Sequence, residues 1–339
     1  MMKEIGSEFW TAPVCAAGEN GLFPPDAVWT GAGRQALTLI IEDIRATRPF
    51  HTVALPSWCC HTMIEPFTEL GIKPLFYDVL PAPGGGLTRR YPAPGKADAT
   101  LVMDHFGYAD EGPLPDGLGV VIRDLTQGIF TRIPNDADYC FGSLRKWGAF
   151  ATGGFLWKRE GRLRPSAELT SDLSYIEARR AAFARKAAYI DGSSSDKGFL
   201  QAFSAANDAL RPRPVRAGDP ADEAVARRLD VSALRAARRA NAAVLLERLA
   251  GLAVWPKLGD ADCPLFVPVL IPDGKRDAVR RACIERQIYL PVHWPLSPSH
   301  AIGEAAARIY ERELSLVCDQ RYDEADMERL CETVLGALG

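Results

Sequence analysis

The chain has 339 residues, 47% of them apolar, and a formal net charge of −3 from 40 basic and 43 acidic side chains. Its length predicts two compact parts, and the apolar share can build a core for each, which excludes a disordered protein. The balanced charge excludes a global pull toward nucleic acid or an acidic membrane surface. There is no apolar signal core at the start and no stretch able to span a bilayer, so a cytoplasmic protein is expected.

Between residues 26 and 158 short apolar runs alternate with amphipathic stretches, the rhythm of strand-helix units around a mostly parallel sheet. Leu37, Ile40, Ile41 and Ile44 recur at helical spacing and predict a helix over 33–44 with one buried face. Apolar runs at 52–55, 74–77, 100–103 and 119–122, each bounded by Gly, Pro or Asp, predict core strands. Pro66 predicts that the helix within 59–70 is short or kinked. From 166 to 210 the composition predicts two helices parted near 192–195, with their paired arginines on solvated faces. Residues 211–220 read as a linker, followed by a long helix over 231–249 whose Arg238 and Arg239 are expected to face solvent. A strand over 265–271 and a closing amphipathic helix through Met327, Leu330, Cys331 and Val334 complete the chain. A large domain, 1–228, and a small α/β domain, 229–339, are expected.

Eight cysteines form no Cys-x-x-Cys pair and are expected to be reduced thiols. Cys59-Cys60-His61 lacks the spacing of zinc ligands, so no metal is expected there.

Three constellations carry chemistry. Gly31-Ala32-Gly33-Arg34-Gln35-Ala36 matches Gly-x-Gly-x-x-Ala before a helix, a turn that points backbone amides at an anion. A dinucleotide site would need an acid about 20 residues further on, whereas the next strand ends at Leu55-Pro56-Ser57-Trp58. Phosphate binding is expected and NAD is not. In Arg123-Asp124-Leu125-Thr126-Gln127 a carboxylate ends an apolar strand, the edge of an open α/β sheet where ligands gather. In Ser143-Leu144-Arg145-Lys146-Trp147 a lysine lies between two strand-like runs, beside a second cation and aromatics, a setting that lowers an amine's pKa and readies it as a nucleophile.

In this order, with Lys146 22 positions after Asp124, the residues resemble the DegT-type sugar aminotransferase family, pyridoxal 5'-phosphate (PLP) enzymes of fold type I. The likeness is strongest over 26–158. It implies a large domain with a mostly parallel mixed sheet flanked by helices, a smaller C-terminal α/β domain, and a homodimer. It also implies Lys146 as the Schiff-base lysine, Asp124 on the pyridine nitrogen, Gln127 near the phenolic oxygen, Trp58 stacked on the ring, and a phosphate held by Gly33, Arg34 and Ser143. The donor would be an amino acid, by the likeness glutamate, and the acceptor a keto sugar or related carbonyl compound. The chain departs from the family where Asp104 stands in a histidine register, with His105 one position later, and where Trp147 follows the lysine. His293, in Pro291-Val292-His293-Trp294, is a candidate substrate contact. The alternatives are a non-catalytic regulator that keeps the fold and an NAD(P)-dependent oxidoreductase built on Gly31-x-Gly33.

Overall fold

A computed structural model describes residues 4–109, 112–132, 136–163 and 168–339. The first elements are β1 (Ile5–Gly6), β2 (Val28–Thr30), α1 (Gly33–Arg45), β3 (Thr52–Pro56) and α2 (His61–Glu69). Then come β4 (Lys73–Pro81), β5 (Leu87–Arg90), β6 (Ala99–Met103), β7 (Val120–Asp124), β8 (Tyr139–Ser143) and β9 (Gly154–Lys158). Helices α3 (Leu173–Ile190), α4 (Phe199–Ala209), α5 (Pro220–Arg228) and α6 (Val231–Leu249) follow. The chain ends in β10 (Phe266–Leu270), α7 (Arg276–Glu285), β11 (Ile288–Tyr289), α8 (Glu304–Arg312), β12 (Glu313–Val317) and α9 (Glu324–Leu338).

Eight strands form one sheet in the order β2-β9-β8-β7-β6-β3-β4-β5. The five from β8 to β4 are parallel neighbours, while β2, β9 and β5 pair antiparallel at the edges. The sheet is thus mixed but mostly parallel, an α/β architecture. Residues buried on one face of α1, among them Leu37, Ile40, Ile41 and Ile44, share a core with Val53, Leu55, Leu101 and Ile122 of the strands. From β3 the chain moves outward to β4 and then crosses back to β6 on the other side of β3. That reversal opens a crevice at the carboxyl ends of the parallel strands.

The C-terminal elements build a second core. Strands β10 and β12 pair antiparallel, and α6, α7 and α9 cover them through Leu245, Leu246, Val279, Cys283, Met327 and Leu330. Ile5 from the N-terminus belongs to this core, because β1 pairs in parallel with β11.

Helix α2 runs nine residues with Pro66 inside it, as its composition predicts. Two expectations give way. Residues 211–216 do not hang as a linker, since Gln35 Nε2 donates to the carbonyls of Arg211 and Pro214, and Gly31 N–H to that of Arg216. The arginine pairs also divide. Arg179 is buried between the rings of Phe183 and Phe203, and Arg238 is buried over Trp147 with its centre 4.5 Å from the ring, while Arg180 is exposed and Arg239 is half-buried. Guanidinium is weakly hydrated and stacks on aromatic faces, so a helical arginine can fill a core position that charge alone would forbid. No described helix is long and apolar enough to cross a membrane.

Candidate active site

The carboxyl ends of three adjacent strands deliver Met103, Asp124 and Ser143 to one cavity of about 310 Å³, a volume suited to a cofactor-sized ligand. Gly33, Arg34, Gln127, Lys146 and His293 line the same cavity, so seven of the eight predicted site residues meet there.

The phosphate end follows from α1. Its N-cap is Ala32, which offers no side chain to the first amides, and no acidic residue occupies the first turn. The Gln35 N–H turns back to Ala32 O at 3.0 Å, so the Gly33 and Arg34 amides are the ones left to meet an anion at an electropositive helix end. A Cβ at Gly33 would come within 3.2 Å of Gly142 O and 3.4 Å of the Ser143 Cβ, a tight fit that glycine relieves where the turn approaches β8. The Arg34 guanidinium is tied down through Nη1, which donates to Glu65 at 3.3 Å and to Leu210 O at 2.7 Å.

Asp124 is buried, and one of its oxygens accepts the Thr126 N–H at 2.7 Å. Burial pushes its acid up to about 6, the Thr126 hydrogen bonds pull the other way, and the nearby Asp104 charge adds to the rise. A carboxylate in this state is short of a cation, and a protonated ring nitrogen would supply one. Gln127 accepts the Phe106 N–H at 2.8 Å with its carbonyl oxygen, so its amide has only N–H donors left for a group in the cavity. This bond also fixes the tight turn at Phe106 and Gly107, where φ is 56° and 80° and a Cβ on Gly107 would lie 2.1 Å from Cys263 O.

Lys146 sits on a 3-10 turn, Leu144–Lys146, directly after β8. Trp147 anchors that turn. Its indole N–H donates to Thr126 O at 2.7 Å, its carbonyl accepts from Gln320 at 2.8 Å, and Arg238 covers its face. The lysine is exposed at the cavity mouth, with Arg145, Glu8 and Cys60 around its amine. Desolvation and then the Arg145 charge lower its pKa, while Glu8 and Cys60 oppose them. Such an amine keeps more of its neutral, nucleophilic form near neutral pH.

Trp58 does not stack in this cavity. It is fully buried behind the wall, beside His105 and Phe106, with its indole N–H donated to His293 O at 2.7 Å. Cys60, two residues on and at the N-cap of α2, lines the cavity instead. A large indole with one donor gains most where its ring is buried and its N–H is paired.

Glu8 also lines the cavity, a contribution with no signal in the sequence because it arrives from the far N-terminus. Burial raises its acid, but Arg179, Arg145, Lys146 and Asn207 outweigh that and hold it below the usual carboxylate range. Among the described residues no group of three or more His, Cys, Asp or Glu side chains is placed to hold a metal ion. The Gly31-x-Gly33 turn follows β2, which pairs antiparallel with β9 at the sheet's edge, so the central parallel strand that a dinucleotide fingerprint requires is lacking.

No family model and no curated protein sequence matches the chain. Solved structures do. A DegT DnrJ EryC1 StrS aminotransferase from Brucella abortus shares 17% identity over 92% of this chain and 86% of its own, with a TM-score of 0.62. Spr1654 from Streptococcus pneumoniae in its PLP form shares 14% over 98% and 93%, with a TM-score of 0.65. DesV from S. venezuelae in complex with a ketimine intermediate shares 18% over 92% and 84%, with a TM-score of 0.61. The chain therefore has the fold of these aminotransferase structures across nearly its whole length.

Proposed function

We propose that the protein is a PLP-dependent aminotransferase that moves an amino group from an amino-acid donor, glutamate by resemblance, to a keto sugar or related carbonyl acceptor. The observation that carries this reading is a single cavity in which a lysine with a lowered pKa and a buried, cation-deficient aspartate lie below an uncapped helix N-terminus. The residues fit the cofactor: the Gly33 cradle would hold its phosphate, Asp124 its ring nitrogen and Gln127 its phenolic oxygen. When bound, PLP supplies an electron sink for charge that develops at the carbon bearing the amine.

The chain's own groups do the rest. Asp124, ionised beside a ring cation, would keep that sink strong. The Lys146 Nζ would anchor the cofactor covalently and, once displaced by the incoming amine, would accept and return a proton as a base. The Gln127 amide would donate to an oxygen at the ring's edge. We further infer two lobes dividing near Leu229, and a homodimer, the assembly the resemblance implies. Adding amino acids one at a time to the PLP-loaded protein should change its visible absorption with a donor and restore it with a carbonyl acceptor. No change with any amino acid would overturn the reading and favour a regulator that merely keeps the fold.

A further inference from the structure

Behind the C-terminal wall of the cavity lies a chain of three polar side chains to which the reading above gives no task. Glu313, the first residue of β12, and Ser315, two positions along it, are both fully buried. One Glu313 oxygen accepts the His293 backbone N–H at 2.5 Å, and the other meets the Ser315 hydroxyl at 2.5 Å. The same hydroxyl lies 2.8 Å from His293 Nδ1. His293 in turn lines the cavity that holds Lys146.

We propose that Glu313, acting through Ser315, sets which ring nitrogen of His293 carries the proton, and so whether His293 offers a substrate oxygen a donor or an acceptor. A serine hydroxyl donates once. If Glu313 is ionised, Ser315 donates to it, and the second contact survives only if Nδ1–H donates to Ser315, which leaves Nε2 as an acceptor. If Glu313 is protonated, it donates to Ser315, Ser315 donates to Nδ1, and Nε2 carries the hydrogen as a donor. Passing from the second state to the first releases one proton from Nε2 to the cavity while two others each move one place along the chain. Glu313 loses a proton in effect, and His293 stays neutral throughout.

The surroundings favour the donor state near neutral pH. The β10 residues opposite Glu313 and Ser315 are Leu270 and Pro268, neither of which can compensate a charge. Burial pushes the Glu313 acid up to about 8, against the hydrogen bonds from Ser315 and the His293 N–H and, last, the Arg276 charge from α7, all of which favour the ionised carboxylate. Burial, with the Lys146 charge facing it, pushes His293 down to about 3, so the imidazole does not become a cation. Phe106 and Phe266, with ring centroids 5.7 and 4.8 Å from His293, supply no competing acid or base.

That the oxygen belongs to the carbonyl acceptor rests on the aminotransferase reading; the tautomer does not, and the test separates them. Nitrogen-15 NMR of ring-labelled histidine in the PLP-loaded protein, with the His293 signal assigned by loss in His293→Gln, distinguishes Nε2–H from Nδ1–H without turnover. Wild type should change from Nε2–H to Nδ1–H as pH rises through about 8. Glu313→Gln, whose amide can only donate to Ser315 while its carbonyl accepts from His293, should hold Nε2–H at every pH. Ser315→Ala should uncouple the ring, so that no change follows the Glu313 titration. Acceptor kcat/KM should fall about tenfold through the same pH range in wild type and stay level in Glu313→Gln. One tautomer at both pH extremes in wild type, or a Glu313→Gln protein that titrates like wild type, would overturn the relay. Absence of any turnover overturns the enzyme reading alone and leaves the NMR result to decide.

Discussion

The two walls of the cavity are built by different means. The sheet wall gathers Gly33, Asp124, Gln127, Ser143 and Lys146 from strand ends and the turns after them, all within 114 consecutive positions around one mostly parallel sheet. The opposite wall takes His293 and Trp294 from a loop of the C-terminal part, backed by Glu313 and Ser315, with Glu8 entering from the N-terminus. The first wall is specified by local rules: a strand ends, a glycine turn opens a helix, and the polar residue at the end has to face the crevice. The second is specified by packing between distant segments. Chemistry common to a fold can rest on the first, and discrimination between substrates on the second.

The sharpest way to break this contrast is on the sheet wall. Lys146→Ala should lose covalently held PLP and at least about 10³-fold of transaminase activity, checked by single-turnover spectroscopy. Retained activity would remove the lysine from the mechanism.

The joint between the walls comes next. Arg238 on α6 donates to Pro264 O at 3.2 Å, Leu265 O at 3.0 Å and Gln320 at 2.9 Å while covering Trp147, the anchor of the lysine turn. Arg238→Ala removes these bonds and the cover over Trp147, and should lower unfolding stability by about 3 kcal/mol in a urea titration. An unchanged midpoint would place the joint elsewhere.

Asp124→Asn sets stability against function. Burial raises this acid from 3.8 to about 6, so the ionised form destabilises the cofactor-free fold; that penalty is complete above about pH 6 and absent below about pH 4. Cofactor-free Asp124→Asn should therefore be more stable at neutral pH, by up to about 3 kcal/mol, with the gain vanishing in acid. The same variant should hold PLP more weakly, and the affinity of wild type should begin to weaken as pH falls below about 6, where the cofactor-free carboxyl takes up its proton. A variant no more stable than wild type in cofactor-free form would mean that the carboxylate already has a cationic partner.

The smallest effect is expected behind the wall. Trp58→Phe keeps a buried ring but loses the bond to His293 O, a change of about 1 kcal/mol in stability, with the absorption of bound PLP unaltered. A shifted cofactor band would return Trp58 to the stacking role that the family likeness implies.

These cases show what the sequence makes legible and why. Helical spacing of Leu37, Ile40, Ile41 and Ile44 reports the buried face of α1 directly, and an acid that ends an apolar strand reports the crevice. Residues near the turn after β3 are harder. Trp58 and Cys60 are two positions apart, and only the surrounding aromatics, from β4 to Trp255 and Trp294, decide that the indole turns inward while the thiol lines the cavity. Arg179 and Arg238 read as solvated because charge is the local signal; Phe183 is local to Arg179, but Phe203 and Trp147, which complete the burial, come from other segments. Glu8 and Glu313 carry no motif at all, and their roles exist only once chain ends and distant strands have met.

The central claim is that one amine and one acid grip the same cofactor, and the most direct measurement is borohydride reduction of the PLP-loaded protein followed by peptide mass mapping. The account predicts a single stable adduct, on the peptide containing Lys146, that is absent when PLP is withheld. An adduct on another lysine, or none in protein whose fold is verified, would contradict it.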